Sequence, residues 1–417
     1  MNQSVTIVTG FFALGDTTRS NDWYFEHGKL VLAVNSNMII YTDHECYDKI
    51  KTIRESFGFA NKTHFIVKEM HDHELYKFKE MIDKNRYGDP LYVDTRNTSK
   101  YFILVSSKFE MLKISTEVNP FKSTHFIWLD FGIKNTKHSK PGMIEKIIEN
   151  ISNKFKCCYI HYRSINFMKN YSNWHHYFQC GIAGNVLSGD INHINQIYQL
   201  FTKKFEHIVN LGYGRAEEQI ITEVERENPD LFDFYAGDYY GVLSNYINIT
   251  NDIDCILNHF VSNARIDNNS KYAYKICRQI EESLNLGLLI LNEYQLMKYY
   301  DEYFISSWYF NQPKCVEILK SLSNDMNKSE RLCQIFEINI NHYTSNFDFI
   351  INLLPHSNKV KVTKNLDNQE INKLTGSSRV FIYTQNNKIT GSYLLVNNPV
   401  IRPTKYFKDF GYGTIVD

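Results

Sequence analysis

The feature that most constrains this sequence is a short apolar stretch that ends in an acid. Residues 124–129 read THFIWL, an almost unbroken β-branched and aromatic run, and Asp130 follows directly. A run without polar alternation predicts a strand buried on both faces of a parallel sheet. Because strand ends in open α/β sheets border the ligand crevice, we expect Asp130 to bind a metal ion and the diphosphate that it carries. Alternatively, Asp130 caps a turn with Gly132.

The composition narrows the class of protein. The chain has 417 residues, with 46 Lys and Arg against 46 Asp and Glu, and this zero formal net charge predicts no nucleic-acid partner. The N-terminal residues lack the pattern of a signal peptide, and no window reaches the roughly 18 to 20 apolar residues of a membrane helix. The eight cysteines include no CxxC pair, which favours reduced thiols in the cytoplasm. We therefore expect a soluble cytoplasmic protein.

Strand patterns alternate with helical patterns through residues 1–260. Short β-branched runs at 5–9 and 38–41 each precede a segment with helical spacing, and residues 101–118 predict one continuous helix. This alternation predicts an α/β domain with a mostly parallel sheet and helices on both faces.

The pattern changes after residue 260. Residues 261–335 predict an α-helical region of successive amphipathic helices. Residues 336–417 predict a mixed region in which the period drops to two, with strands such as VKVTK at 360–364 forming a small antiparallel sheet.

Two glycines, Gly10 and Gly15, bound the loop after the first strand. Their spacing is that of a phosphate loop, but Asp16 stands where such a loop has its lysine, which argues against a kinase-like NTPase. With Arg19 nearby, the loop is suited to holding a nucleotide by backbone donors and one fixed cation. Alternatively, the loop is a plain connector.

The triplet Asp130-Phe131-Gly132 matches the metal-binding triplet of protein kinases, but no HRD motif precedes it. We therefore favour a strand-terminal acid that binds Mn²⁺ or Mg²⁺, with the ion neutralising a leaving diphosphate. Gly132 stands where a second acid is common, so the predicted site lacks one protein oxygen.

Glu217 and Glu218 lie near the start of a predicted helix. Adjacent helical residues point about 100° apart, so at most one of them faces a cleft. One of them could accept the proton of an attacking hydroxyl. Alternatively, both are favoured there by the helix dipole.

Two further features flank that helix in sequence. Gly181 and Gly184 interrupt the apolar run 178–187, which predicts that a ligand or another backbone approaches closely. Trp174, His175 and His176 read as an exposed loop cluster that either stacks a sugar or a base or is a chance surface group.

Several long strings carry a family resemblance. VTIVTGFF at 5–12, NMIIYTD at 37–43, NPFKSTHFIWLDFGI at 119–133 and GYGRAEEQI at 212–220 resemble the HtrL/YibB family, over about residues 4–247. That family is assigned to the GT-A nucleotide-diphospho-sugar transferase superfamily, with members in bacterial polysaccharide gene clusters and in giant viruses. The resemblance implies a GT-A-like domain, in the host cytoplasm if the protein is viral.

The resemblance implies a metal-assisted glycosyltransferase of polysaccharide biosynthesis. The donor would be a nucleotide-diphosphate sugar, with a UDP-sugar expected, the cofactor Mn²⁺ or Mg²⁺, and the acceptor a hydroxyl of a glycan or of a protein-linked sugar. The alternative is a catalytically silent GT-A-like protein whose helical tail binds a protein partner. A nucleotidyltransferase acting on a sugar phosphate is disfavoured, because no glycine-rich loop with Arg and Lys follows the first strand.

The resemblance also implies roles for single residues. It assigns nucleotide binding to the loop from Thr9 and Gly10 to Arg19 and to Asp43, and the metal position to Asp130.

The remaining implied roles concern the sugars, the acid–base group and a second ligand. Gly184 and Asn185 would border donor sugar and acceptor, and Glu218, or else Glu217, would act at the acceptor. Lys108 resembles the basic residue before the metal-binding strand, or is a snorkelling surface lysine. His259 could be a further metal ligand, or a satisfied core histidine.

Overall fold

The computed structural model describes residues 4–15, 19–87, 98–135, 140, 142–176, 178–311, 313, 314 and 317, and strands at 334–339, 379–385 and 388–395. The chain divides into two compact units. The first takes its residues from 1–263 and 279–290, and the second from 264–278 and 291–417. No helix of the described part is both long and apolar enough to cross a bilayer.

The first unit is built on a seven-stranded sheet. Its strands are β1 Val5–Phe11, β2 Asn37–Thr42, β3 Thr63–Val67, β4 His125–Leu129, β5 Phe155–Tyr159, β6 Ile182–Asp190 and β7 Phe232–Ala236. Their order is β3-β2-β1-β4-β6-β5-β7. The strand β6 runs antiparallel to both of its neighbours, and all the other pairs are parallel. The predicted mostly parallel α/β sheet is confirmed.

The helices follow the strands along the chain. They are α1 Asn21–Leu32, α2 His44–Ser56, α3 Lys79–Tyr87, α4 Ser99–Ser106, α5 Lys108–Val118, α6 Met143–Glu149, α7 Ile165–Lys169, α8 Tyr171–His175, α9 Ile191–Asn210, α10 Glu217–Glu227, α11 Ile253–Cys255, α12 Ser262–Ile266, α13 Ser270–Asn285 and α14 Glu293–Phe310. A π-helix, Ile256–Val261, lies between α11 and α12. Short 3₁₀ turns occupy Ala60–Lys62, Met70–Asp72, Glu74–Phe78, Ile133–Asn135, Pro229–Leu231 and Tyr239–Gly241.

Apolar side chains pack the helices onto the sheet. One core joins the strands to α1, α2 and α6 through residues such as Val31, Ile50 and Ile147. Aromatic rings of α5 and α9 form another layer, in which Phe109 and Phe201 stack with centroids 3.8 Å apart. As predicted, every residue of β4 is buried, so the acid that follows it is held by a rigid strand.

The helix predicted as one piece over residues 101–118 is two helices, and this prediction was wrong at Ser107. The Ser107 hydroxyl donates to the carbonyl of Ile103, 2.8 Å away. The backbone at Ser107 has a ψ of −6°, away from the α-helical value of about −42°. Ser115 makes the same side-chain bond inside α5 without a break, so the change in backbone angle is what separates the two helices. The break makes Lys108 the first residue of α5.

The second unit contains α14 and three described strands. Arg265 pairs with Glu302 of α14, with 2.7 Å between Nε and Oε2. The strands β8 Gln334–Asn339, β9 Arg379–Gln385 and β10 Lys388–Leu395 form an antiparallel sheet in the order β10-β9-β8. The strand predicted at 360–364 lies outside the described residues.

Candidate functional site

A cleft opens at one edge of the large sheet. Parallel strands β1 and β4 end at this edge, and the reversed β6 begins there, since Asp130 N donates to Asn185 O at 3.0 Å. The cavity is about 400 Å³, within the range of small-molecule sites. It is lined by Gly10, Phe11, Phe12, Leu14, Arg19, Asn21, Tyr24, Tyr101, Leu104, Val105, Lys108, Met111, Trp128, Asp130, Phe131, Gly132, Ile133, Asn185, Tyr239 and Tyr240.

Asp130 points a partly free carboxylate at this cleft. Its Oδ1 accepts a hydrogen bond from Trp128 Nε1 at 2.6 Å, and its side chain is 41% exposed. The next residue, Phe131, is buried and stacks on Phe11 with centroids 5.2 Å apart. A Cβ at Gly28 would lie 2.2 Å from the Phe131 ring, so only glycine leaves room for that ring. Strand β4 therefore fixes the backbone directly before Asp130, and the packing of Phe131 fixes the backbone directly after it.

Lys108 is a buried cation beside that acid. Its Nζ lies 2.8 Å from Gly184 O, 3.0 Å from Glu217 Oε1 and 3.5 Å from Asp130 Oδ1. Burial by itself would lower the pKa of Lys108, but the carboxylates of Asp130 and Glu217 raise this pKa well above its ordinary value. Lys108 is thus a permanently charged group in the cleft wall, and the structure does not place it as a snorkelling surface lysine.

Neither Glu217 nor Glu218 lines the cleft. Both lie one layer behind it, in the first turn of α10, where Glu217 pairs with Lys108. Glu218 accepts the Gly184 N–H at 3.1 Å and the hydroxyl of Tyr239. Burial, followed by the neighbouring Glu217, raises the pKa of Glu218 to about 8. Glu218 can therefore exchange a proton near neutral pH.

Tyr239 connects the buried Glu218 to the cleft. Its hydroxyl donates to Glu218, and the residue itself lines the cavity. Burial and the Glu218 carboxylate raise the pKa of Tyr239 far above the ordinary range, so the phenol keeps its proton. Sequence reasoning assigned no role to Tyr239. The only sequence feature that contains it is the GDYY string at 237–240. The sequence does not show that the 3₁₀ turn Tyr239–Gly241 packs on α10.

The predicted sugar-binding pair, Gly184 and Asn185, lies near the start of β6 beside Lys108. A Cβ at Gly184 would lie 2.4 Å from Glu217 Oε1 and 2.7 Å from Lys108 Nζ, so the close approach predicted from this glycine is to a buried ion pair. Asn185 does line the cleft, and its buried Oδ1 has no hydrogen-bond partner among the described residues. A buried carbonyl oxygen without a donor marks a place where a ligand can bind.

Of the predicted nucleotide-binding residues, Gly10 and Arg19 line the cleft, whereas Thr9 and Asp43 do not. The Thr9 hydroxyl is fully buried and donates to Leu129 O at 2.7 Å, which joins β1 to β4.

Asp43 is occupied by backbone. It caps α2 by accepting Cys46 N at 2.8 Å, and it accepts Ala13 N at 2.6 Å. Because an N-cap is a local pattern, this role was visible in the sequence as an Asp directly before a helix. Asp43 therefore shapes the loop after β1 from behind the cleft.

The predicted exposed aromatic cluster is wrong for Trp174 and His175, which are buried in α8. Trp174 Nε1 and His175 Nε2 donate to Glu223 Oε1 at 2.9 and 2.6 Å. Two polar tips that share one buried carboxylate explain why these large rings lie inside. They take no part in the cleft.

His259 lies in a different group from Asp130. Its ring stacks on His161 with centroids 4.5 Å apart, and His161, Cys255 and His259 are close enough to share a metal ion. Within the part of the chain that the structure describes, Asp130 joins no group of three such side chains. The structure therefore does not bring the two predicted metal ligands together.

The fold and the cleft define a mostly parallel α/β protein with a charged and aromatic cleft at the strand ends. The family model described as "Bacterial protein of unknown function (HtrL_YibB)" matches residues 3–247, and the chain belongs to this family. The match covers β1 to β7 and every residue that lines the cleft. A comparison with curated proteins found no match.

Proposed function

We propose that this protein is a glycosyltransferase of the GT-A type, which moves a sugar from a nucleotide-diphosphate sugar to a hydroxyl of a glycan or of a protein-linked sugar. The observation that carries the proposal is the buried cluster of Lys108, Glu217 and Glu218 directly behind Asp130 and Tyr239. Burying several charges does not stabilise a fold better than apolar packing would. Such clusters are typical of sites that bind or transfer charge.

The cleft suits the parts of a nucleotide-diphosphate sugar. Arg19 is a cation that can contact a diphosphate, and the buried Lys108 adds positive charge behind it, while rings such as the half-buried Tyr24 and the exposed Tyr240 can stack on a base or a sugar. Arg19 is already oriented, since its guanidinium lies 4.0 Å from the centroid of Trp23. The unpartnered Oδ1 of Asn185 can accept a sugar hydroxyl or contact a metal.

The residues present fit a divalent metal only when it enters with its diphosphate. Asp130 supplies one carboxylate, Gly132 supplies none, and the Lys108 ammonium 3.5 Å away disfavours a bare cation. Mg²⁺ and similar ions are commonly held by one or two carboxylates and by substrate phosphates. Asp130, with Asn185 Oδ1 as a second oxygen, would hold Mg²⁺ or Mn²⁺, and the ion would neutralise the leaving diphosphate.

Two side chains of the protein, Tyr239 and Glu218, can take up the proton of the acceptor hydroxyl. As the acceptor oxygen attacks the anomeric carbon, its proton passes to the Tyr239 hydroxyl, which gives its own proton to the Glu218 carboxylate. The ionised form of Glu218 is the base in this scheme, and its raised pKa of about 8 makes that carboxylate a stronger proton acceptor than an ordinary glutamate. Lys108 holds Glu217 and Asp130 in place and adds positive charge beside the diphosphate.

A titration of the full chain with a panel of nucleoside diphosphates, with and without Mn²⁺, tests this proposal by calorimetry. We expect Mn²⁺-dependent binding of at least one diphosphate and hydrolysis or transfer of the matching sugar. Asp130→Asn should weaken the Mn²⁺-dependent binding at least about tenfold, because it removes the one charged ligand.

Asp190→Asn is the matched control. Asp190 caps α9 at the opposite end of β6, and asparagine caps a helix equally well, so binding should not change. The absence of binding to every diphosphate would contradict the proposal. Binding without hydrolysis or transfer would instead favour a catalytically silent protein.

A further inference from the structure

We propose that His161, Cys255 and His259 form a site for one transition-metal ion of the Zn²⁺ class, separate from the cleft. The ligand atoms of the three side chains all lie within 4.8 Å of one another. None of the three lines the cleft. Imidazole nitrogen and thiolate sulfur are the ligands that Zn²⁺ prefers, whereas Mg²⁺ and Mn²⁺ prefer oxygen. This inference therefore does not depend on the proposed glycosyl transfer.

Two separate parts of the chain build the group. His161 follows the end of β5, while Cys255 ends α11 and His259 lies four residues later in the π-helix. The backbone holds these parts together, since Tyr162 N donates to His259 O at 3.0 Å. A π-helical turn is rare and is frequent at functional sites. Here it carries one of the three ligands.

The three ligand atoms have to move only slightly closer together to hold the ion. Zn–N and Zn–S bonds of about 2.0 to 2.3 Å in a tetrahedron put ligand atoms about 3.4 Å apart, against the 4.8 Å limit here. His259 is exposed, and His161 and Cys255 are half-buried, so rotation of the outer ring can supply the closure. Three protein ligands leave a fourth position open toward solvent, as in catalytic rather than closed structural zinc sites.

The Arg163 side chain disfavours metal binding at His161. Its Nη2 lies 3.1 Å from His161 Nδ1, and its Nε donates to Cys180 O at 2.9 Å. A metal on Nδ1 takes the lone pair that Arg163 contacts, while a metal on Nε2 leaves a proton on Nδ1 that faces a donor. Metal binding therefore has to displace this guanidinium contact. Removal of Arg163 should tighten binding, while removal of a ligand should weaken it.

The test uses the full chain, reduced and stripped with a chelator, and titrated with Zn²⁺ and with Co²⁺. We expect one equivalent to bind, with thiolate-to-Co²⁺ charge-transfer absorption and a raised melting temperature. Cys255→Ser should remove that absorption and weaken binding at least about 100-fold. Cys180→Ser, which changes another half-buried thiol outside the group, should retain both.

Histidine variants distinguish this site from chance surface binding. His259→Asn should weaken Zn²⁺ binding at least about tenfold, whereas His44→Asn, which changes another exposed histidine, should not. Arg163→Gln should tighten it several-fold. Equal effects of the two histidine variants, or an unchanged affinity in Cys255→Ser, would overturn the proposal. Mn²⁺-dependent diphosphate binding should survive Cys255→Ser, so the two proposals can fail independently.

Discussion

At the scale of single residues, Gly132 decides how strongly Asp130 can hold a metal. A Cβ at Gly132 would meet only the Tyr24 ring, at 3.8 Å, which is an ordinary contact. The backbone there is not in the left-handed region, so a side chain causes no strain. A glycine that neither space nor conformation requires can accept a second carboxylate.

Gly132→Asp should therefore strengthen Mn²⁺-dependent binding of a nucleoside diphosphate. The added carboxylate supplies a second hard oxygen ligand next to Asp130, and we expect roughly tenfold tighter binding by calorimetry. Gly132→Asn, which has the same size without the charge, is the control. Unchanged affinity in Gly132→Asp would show that the ion does not bind beside Asp130.

At the scale of secondary-structure elements, the contact of β6 with α10 fixes the charged cluster. Gly184 of β6 contacts both Lys108 and Glu217, and the Gly184 N–H binds Glu218. One glycine therefore sets the distance between a strand and the helix that carries both acids.

Gly184→Ala should destabilise the protein by about 1 to 3 kcal/mol, because a methyl group at 2.4 Å forces the buried ion pair apart. Chemical unfolding measures this change. Gly132→Ala, where the added methyl meets only Tyr24, is the control and should change the free energy of unfolding by less than about 0.5 kcal/mol. If Gly184→Ala lost as little unfolding free energy as Gly132→Ala, β6 and α10 would be able to move apart at little cost.

The elements differ in how far the sequence predicts them. Buried β-branched runs such as the one in β4 show a strand plainly, but an apolar run has the same pattern in either direction, so the reversal of β6 was not predictable. The break at Ser107 lies within an unbroken helical period, and the same side-chain hydrogen bond at Ser115 leaves α5 intact, so the sequence does not mark the break.

The residues of the candidate site also differ in how far the sequence predicts them. Asp130 follows β4, Arg19 follows β1 and Gly10 lies near the end of β1, so the rule that strand ends border the crevice places them correctly. Tyr239 and the pairing of His161 with His259 join segments that only packing brings together. The four-residue spacing of Cys255 and His259 was visible in the sequence, but their third partner was not.

At the scale of the whole molecule, the buried acid makes global stability depend on pH. The pKa of Glu218 is raised to about 8 from an ordinary value of 4.5, so the folded state holds a proton that the unfolded state releases. The contribution of this group is therefore fully present below about pH 4.5 and is lost as pH rises through about 8. His161 acts in the opposite sense at lower pH, because burial and Arg163 lower the pKa of His161 to about 4.

Glu218→Gln should flatten the fall in melting temperature between pH 6.5 and pH 8, where His161 contributes little. The slope of the free energy of unfolding against pH should differ between wild type and variant by at most about 1.4 kcal/mol per pH unit. Calorimetry at several pH values measures both slopes. Glu206→Gln, which changes an exposed acid, should leave the slope unchanged. A wild-type slope retained in Glu218→Gln would mean that another group takes up this proton.

The reversal of β6 has a consequence for how this family can vary. The strand β5 ends and β6 begins at the same edge of the sheet, and Ile160 N donates to Gly181 O at 2.8 Å where the chain leaves and returns. The chain between these two strands, which contains α7 and α8, therefore leaves and re-enters the sheet at neighbouring strand ends. We expect insertions and deletions among relatives to collect in this segment, since its length can change without a shift in the register of either strand.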